Sequence, residues 1–297
     1  MQREWLQHRF GWALMALIPL GLALVFSAVG QVEFGEGDVP PMPERLPLLL
    51  AVIPVLGGTV LMLVIALVTA FIATAGLARR DHADRSVDFW LSLPVPHAAA
   101  LGVPMAVHAL LMPAAAMALG WLGGQLIGLL LVGRVIGFSA LAEVPWGPAT
   151  VATLSMLGRL IAGLPLALLW VLPIVLLLVL LNAWFKRWGW VVLIVGTGLV
   201  TLLEQLTFGR RWLLDIGNQL LQRAGLSLMG AGGGQVAFTK NSDDMRTLLE
   251  LPAMALKDFG AALAALASPL FVGALALSAL CFVLLVRWRQ QSAGRAD

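Results

Sequence analysis

Few residues in this sequence are equipped for chemistry, and three of them lie where charge is expensive. His108, Arg159 and Glu204 each interrupt a long apolar run. An ionisable side chain at membrane depth costs several kcal/mol unless it is partnered, so such residues are default candidates for a translocation path or an outer vestibule. His108 reads equally as a neutral, hydrogen-bonded packing histidine. Arg159 and Glu204 either pair with each other, line an outward vestibule, or snorkel to the outer interface.

The other reactive types do not assemble into motifs. His8, His82 and His97 are scattered without metal-ligand spacing, and Cys281, the single cysteine, sits in an apolar run. That excludes a disulfide framework and a cysteine-based metal site. There is no G-x-x-x-x-G-K-[ST] phosphate loop, no H-E-x-x-H zinc helix and no G-x-S-x-G elbow. The only lysines are Lys186, Lys240 and Lys257, none after a phosphate-binding glycine pattern. The glycine-rich stretch Gly230 to Gly234 reads as a flexible linker. No catalytic residue, cofactor or metal is expected in this chain, so it is not expected to be an enzyme.

The elements that position these residues follow from composition. The chain is 60% hydrophobic and 12% charged, whereas a soluble domain carries roughly 25% charged residues. Lipid must be its solvent. A hydrocarbon core of ~30 Å needs about 20 apolar residues per helix, which predicts about six spans. The expected fold is all-α, one polytopic membrane domain over 1–297, with spans near 10–30, 46–78, 98–133, 150–185, 188–208 and 259–286. The 46–78 run is long enough to tilt, and the third is expected to bend near Pro113 or Gly123-Gly124. The first apolar stretch is span-length and ends at Gln31 without an A-x-A-like site, so no signal peptide is expected.

Basic residues in the short loops set the orientation. With both termini inside, the inner segments hold ten basic residues (Arg3, Arg9, Arg79, Arg80, Arg85, Lys186, Arg187, Arg287, Arg289, Arg295) and five acidic ones; the rest of the chain holds nine and eleven. Trp5, Trp12, Trp184, Trp188, Trp190 and Trp288 fall near the same inner ends, where an indole keeps its ring in the acyl region and its N–H wet. In the long outer loop 209–258, Trp212, Leu213, Ile216 and Leu220 share a helical face, which predicts an amphipathic helix on the outer leaflet. A second short helix is predicted from Asp243 to Leu251, with Ser242 as N-cap and Pro252 beyond its end.

The inner loop between the second and third spans is the most informative segment. Charges at Asp84, Arg85 and Asp88 lead into Ser86, Phe89, Trp90, Leu91, Ser92, Leu93, Pro94 and Val95. A short helix with bulky apolar residues at an inner loop can seat in a groove of a soluble partner, where aromatic residues supply buried area. An ordinary interfacial anchor is the plainer alternative. Here the chain resembles the permease subunits of ABC-2 type ABC transporters, in which an acidic and basic run precedes "F-x-x-S-L-P-V". Those positions are Phe89, Ser92, Leu93, Pro94 and Val95; Pro96 departs from the small or polar residue of the family pattern.

The resemblance is strong over roughly this one loop and architectural elsewhere. It implies a cytoplasmic coupling helix that seats in an ATPase subunit, two copies of that subunit binding ATP and magnesium, and a second permease, identical or different. It implies export, and the apolar spans suit a lipophilic or amphipathic cargo such as a peptide, a drug-like compound or a lipid-linked molecule. Dimerisation through the first, second and fifth spans is implied as well; Gly57-Gly58 and Gly196-Thr-Gly198 either permit that approach or relieve crowding within one chain. The expected location is the bacterial inner membrane, with no nucleic-acid partner. A secondary transporter and a non-transporting scaffold or sensor are the rival classes. The first lacks the buried carboxylates and repeat symmetry such proteins use.

Overall fold

The computed structural model describes residues 2–30, 45–75, 97–230 and 244–293, and every regular element among them is helical. Helix α1 spans Gln2–Val29 and α2 Leu46–Ala75. Helix α3, His97–Ala106, passes through a π-helical turn at Val107–Leu111 into α4, Met112–Val135. A 3-10 turn, Phe138–Ala142, precedes α5, Trp146–Phe185. A second, Lys186–Trp188, leads to α6, Gly189–Phe208. Then come α7, Trp212–Met229, α8, Asp244–Ala265, and α9, Pro269–Ala293.

Five apolar helical stretches are long enough to cross a membrane: Phe10–Val29, Leu46–Thr74, Leu101–Val135, Trp146–Phe208 and Pro269–Gln291. The chain is a multi-pass, all-helical membrane protein. The fourth stretch is 63 residues long; as one straight helix it would reach ~95 Å, about three bilayer cores. It is divided instead at Lys186, whose φ of +59° breaks the helix, and α6 packs against α5.

Helix α5 is the mast of the structure. At 40 residues it is ~60 Å long, and different levels of it serve different neighbours. Ala149 and Ala152 pack with Leu48 and Val52 of α2 and Leu248 and Leu251 of α8. Leu157 and Leu164 meet Leu63 of α2 and Met117 of α4. Ala167 and Trp170 meet Leu220 and Ala224 of α7 and Ala274 of α9. Leu176, Val179, Leu180 and Ala183 close the far end with Leu101 of α3 and Cys281 and Leu285 of α9. By contrast α1 and α6 turn most of their apolar surface outward, with Leu17, Phe26, Ile194 and Leu206 all more than 60% exposed.

The closest helix pair is α2 with α4. Gly120, Gly124 and Gly128, four residues apart, present one bare edge of α4 to Gly58, Pro54-Val55 and Ala51 of α2. Without a Cβ on that edge the backbones can touch, which is how helices gain dispersion energy where no hydrophobic drive between them exists. A Cβ on Gly124 would come within 2.6 Å of the Pro54 carbonyl oxygen, and one on Gly128 within 2.7 Å of that of Ala51. Of the small residues singled out from sequence, Gly58 is used in this internal contact, whereas Gly57, Gly196 and Gly198 meet nothing within 4 Å.

Three expectations shift. The irregularity in the third apolar run lies in the π turn at Val107–Leu111, just before Pro113, while Gly123-Gly124 continues regular helix. The predicted short helix ending before Pro252 is instead the 22-residue α8, which runs through Pro252. Its buried residues Leu248, Leu251 and Ala255 lie on both sides of the proline, so tertiary packing outweighs the lost backbone bond. The last apolar helix starts at Pro269 rather than near Phe259, because a turn at Leu266–Ser268 separates α8 from α9.

The glycine edge gives a direct test. Gly124→Val forces two backbones apart, and overpacking of this kind costs about 1–3 kcal/mol; the thermal midpoint of the purified chain in detergent should fall by several degrees. Gly57→Val, which points into open space, should leave the midpoint where it was.

Candidate functional site

Helix α7 is the element around which the polar residues of the apolar region gather. It is 18 residues long, so its peptide dipoles leave a partial positive charge at Trp212 and a partial negative charge at Met229. Its N-cap residue, Arg211, supplies no side-chain cap. Glu204, on the last turns of α6, supplies one: its Oε2 accepts from the Leu213 backbone N–H at 3.1 Å. Beside it, Arg211 Nε donates to Gln205 Oε1 at 2.7 Å. Gln205, Arg211 and Leu213 are exposed and Glu204 is half-buried.

The other end of α7 turns Ser227 and Gly230 inward. Arg159, on α5 and only 6% exposed, reaches its last carbonyls. Nη1 donates to the carbonyl oxygen of Ser227 at 2.7 Å, and Nη2 makes longer contacts with those of Leu226 at 3.4 Å and Asp258, on α8, at 3.5 Å. The guanidinium also lies 5.8 Å from the centre of the Phe259 ring. Gly163, one turn beyond Arg159, makes the approach possible, since a Cβ there would strike both the Ser227 carbonyl oxygen and Arg159 Nη1. Gly230 ends α7 with φ +80° and donates its N–H to Leu226 at 2.9 Å. The carboxylate of Asp258 presses on that same glycine, where any Cβ would collide with it. One buried cation therefore ties α5, α7 and α8 together. Its Nε has no hydrogen-bond partner.

The two charges thus take opposite ends of one helix, separated by ~27 Å of α7. The structure does not bring Arg159 and Glu204 together. The Arg159 head group is enclosed by backbone carbonyls. His108 stands apart from both. It is 2% exposed in the π turn, and the Trp12 ring of α1 meets it edge-on, with centroids 5.7 Å apart and planes at 84°. π turns interrupt helices most often at functional places, and this one lies between Pro104 and Pro113. The loop residues Asp84, Arg85, Ser86, Asp88, Phe89, Trp90, Leu91, Ser92, Leu93, Pro94 and Val95 lie outside the described residues.

A second helix-end clamp went unread in the sequence. Arg134, in the last turn of α4, donates to the carbonyl oxygens of Gly30 at 2.7 Å, Ser27 at 3.0 Å and Val29 at 3.3 Å, at the end of α1. It therefore does for α1 what Arg159 does for α7. Among the described residues no group of three or more His, Cys, Asp or Glu side chains is placed to hold a metal ion. No protein-family model, no curated protein and no solved structure matches this chain.

The unequal burial of the two clamps on α7 predicts unequal effects. Arg159→Met strands the buried Ser227 carbonyl, and a hydrogen bond from a charged donor is worth about 1.5–3 kcal/mol. The thermal midpoint should drop by several degrees, and a cysteine at Ala224, buried against α5, should become reactive to maleimide. Arg159→Lys should restore only part of the loss, because an ammonium lacks the fork that reaches two helices. Glu204→Gln should stay within about 0.5 kcal/mol of the parent, as loss of one solvent-accessible charge at a helix end does.

Proposed function

We propose that this chain is the membrane subunit of an ATP-driven transporter of the ABC-2 type, exporting a lipophilic or amphipathic cargo. The observation that carries the reading is the segment from Asp84 to Val95, with Phe89, Ser92, Leu93, Pro94 and Val95 in the family's order, immediately before an apolar helix. In this reading α1, α2, the α3–α4 pair, α5, α6 and α9 are six spans with both termini inside, and α7 and α8 are outer helices. The protein resides in the bacterial inner membrane. A partner subunit in two copies binds ATP and magnesium, and a second permease completes the path.

The packing supports a mechanical role for the loop. The loop feeds directly into α3, and Leu101 of α3 is buried with Leu176 and Leu180 of α5 and Cys281 and Leu285 of α9. A displacement of the loop by a closing ATPase pair would be delivered first to α3 and then to α5. The π turn at Val107–Leu111 separates that cluster from α4, which is fixed to α2. Motion at the inner ends can then occur without disturbing the glycine contact. ATP drives such a change only by binding one state of the assembly better than the other.

The test is co-purification of the chain with candidate ATPase subunits, comparing the parent with a Phe89→Ala, Leu93→Asp double variant. The parent should retain an ATPase, and the variant should lose it or lose its stimulation by cargo. If no ATPase binds, or the variant binds and couples equally, the loop is a membrane anchor. Secondary transport, sensitive to ion gradients, or a scaffold role would then replace the proposal.

A further inference from the structure

A polar cavity of about 470 Å³ opens at the elbow between α6 and α7, lined by Gln205, Gly209, Arg210, Arg211, Trp212 and Asp215. Its depth in the membrane follows from α6. That helix has 20 residues, ~30 Å, the thickness of the hydrocarbon core. With Lys186 and Arg187 at one boundary, Phe208 and the elbow fall at the other. Phe208 and Trp212 stack there with ring centres 5.3 Å apart, and aromatic rings of this kind favour the headgroup level. Gly209, at φ +66°, turns the chain so that Arg210 and Arg211 follow at once.

The charges in this cavity are not spent on each other. Arg211 uses its Nε–H on Gln205. Among the described residues the side chains of Arg210 and Asp215 make no hydrogen bond or ion pair, though both line the same space. The end of α7 is not what a ligand would read, because Glu204 already takes the Leu213 N–H. What stays open is a pair of guanidinium groups and a separate carboxylate. On α6, Leu199, Leu202, Leu203 and Leu206 share one helical face, are 52–74% exposed and offer an apolar track from the elbow toward Lys186.

We propose that this elbow binds one phospholipid with a phosphoethanolamine headgroup, its phosphate on Arg210 and Arg211, its ammonium on Asp215 and its acyl chains along α6. Guanidinium groups match phosphate oxygens. An ammonium carries three N–H donors for the carboxylate, whereas a choline group carries none. A glycerol headgroup offers hydroxyl donors but no positive charge to balance Asp215 beside the phosphate. The site depends on the membrane reading alone, not on transport or on which leaflet the elbow faces.

The experiment is native mass spectrometry of the full chain in detergent with an equimolar mixture of phosphatylethanolamine, phosphatidylcholine and phosphatidylglycerol of matched acyl chains. The parent should retain phosphatidylethanolamine over phosphatidylcholine by roughly threefold to tenfold, the range of an interfacial charged contact. Asp215→Asn should abolish that preference while leaving phosphatidylcholine retention unchanged, and Arg210→Gln should lower both. Soluble phosphoethanolamine should not displace the lipid. Equal retention of the two zwitterionic lipids by the parent, a preference for phosphatidylglycerol, an unaltered preference in Asp215→Asn, or displacement by the free headgroup would each overturn the proposal. Unchanged thermal midpoints in both variants establish that the folded chain is being compared.

Discussion

Away from water a helix end is a liability, because the last carbonyls of a helix have no internal partner. Helix α7 meets this constraint at Ser227. It is short, it is not itself an apolar span, and its last turn sets Ser227 against α5 while Leu226 and Met229 stay exposed. Arg159 resolves the conflict by bringing a forked donor to the carbonyl oxygens of Leu226 and Ser227, with Asp258 of α8 at its edge. The arginine also needs α7, since a guanidinium buried inside the protein is tolerated only among acceptors. Each group removes the other's penalty, and α8 is drawn into the same arrangement.

The remaining architecture can be seen as two units joined along α5. One is the α2–α4 pair, held by backbone contact across Gly58, Gly120, Gly124 and Gly128 and covered on one side by α1. Arg134 fastens the end of α1 to it by the same device that Arg159 uses. The other unit comprises α7, α8 and α9 packed along α5, with larger side chains such as Trp170 and Phe271 in edge contact at 5.1 Å. The π turn at Val107–Leu111 lies between α4 in the first and α3, which packs with α5 and α9.

What could be read from sequence depended on whether the responsible signal was local. Long apolar runs such as Leu46–Thr74 announce membrane helices because lipid acts on each residue independently. Amphipathicity announced α7, yet its buried face begins at Leu220 and continues through Ala224 and Ser227, while Trp212, Leu213 and Ile216 remain exposed. The break at Leu266–Ser268 was hidden because apolar residues continue across it, and α8 persists through Pro252 because its neighbours hold it. Arg159 was conspicuous as a buried charge, but its acceptors are backbone carbonyls 67, 68 and 99 residues away. Every residue has a carbonyl, so such a partner leaves no trace in side-chain identity. Pairing with Glu204, one of three readings left open, rested on the only signal sequence offers, opposite charge.

The transporter reading requires the loop between α2 and α3 and helix α7 to lie on opposite sides of the membrane, which in turn requires α5 and α6 to cross it separately. Labelling intact cells with a membrane-impermeant maleimide decides this most directly, using single cysteines at Ser86 and at the exposed Asn218 in a Cys281→Ala background. The account predicts that Asn218→Cys reacts from outside and that Ser86→Cys reacts only after the membrane is opened. If both positions react from the same side, the stretch Trp146–Phe208 crosses only once. The six-span arrangement, and with it a cytoplasmic loop opposed to outer helices, would then be contradicted.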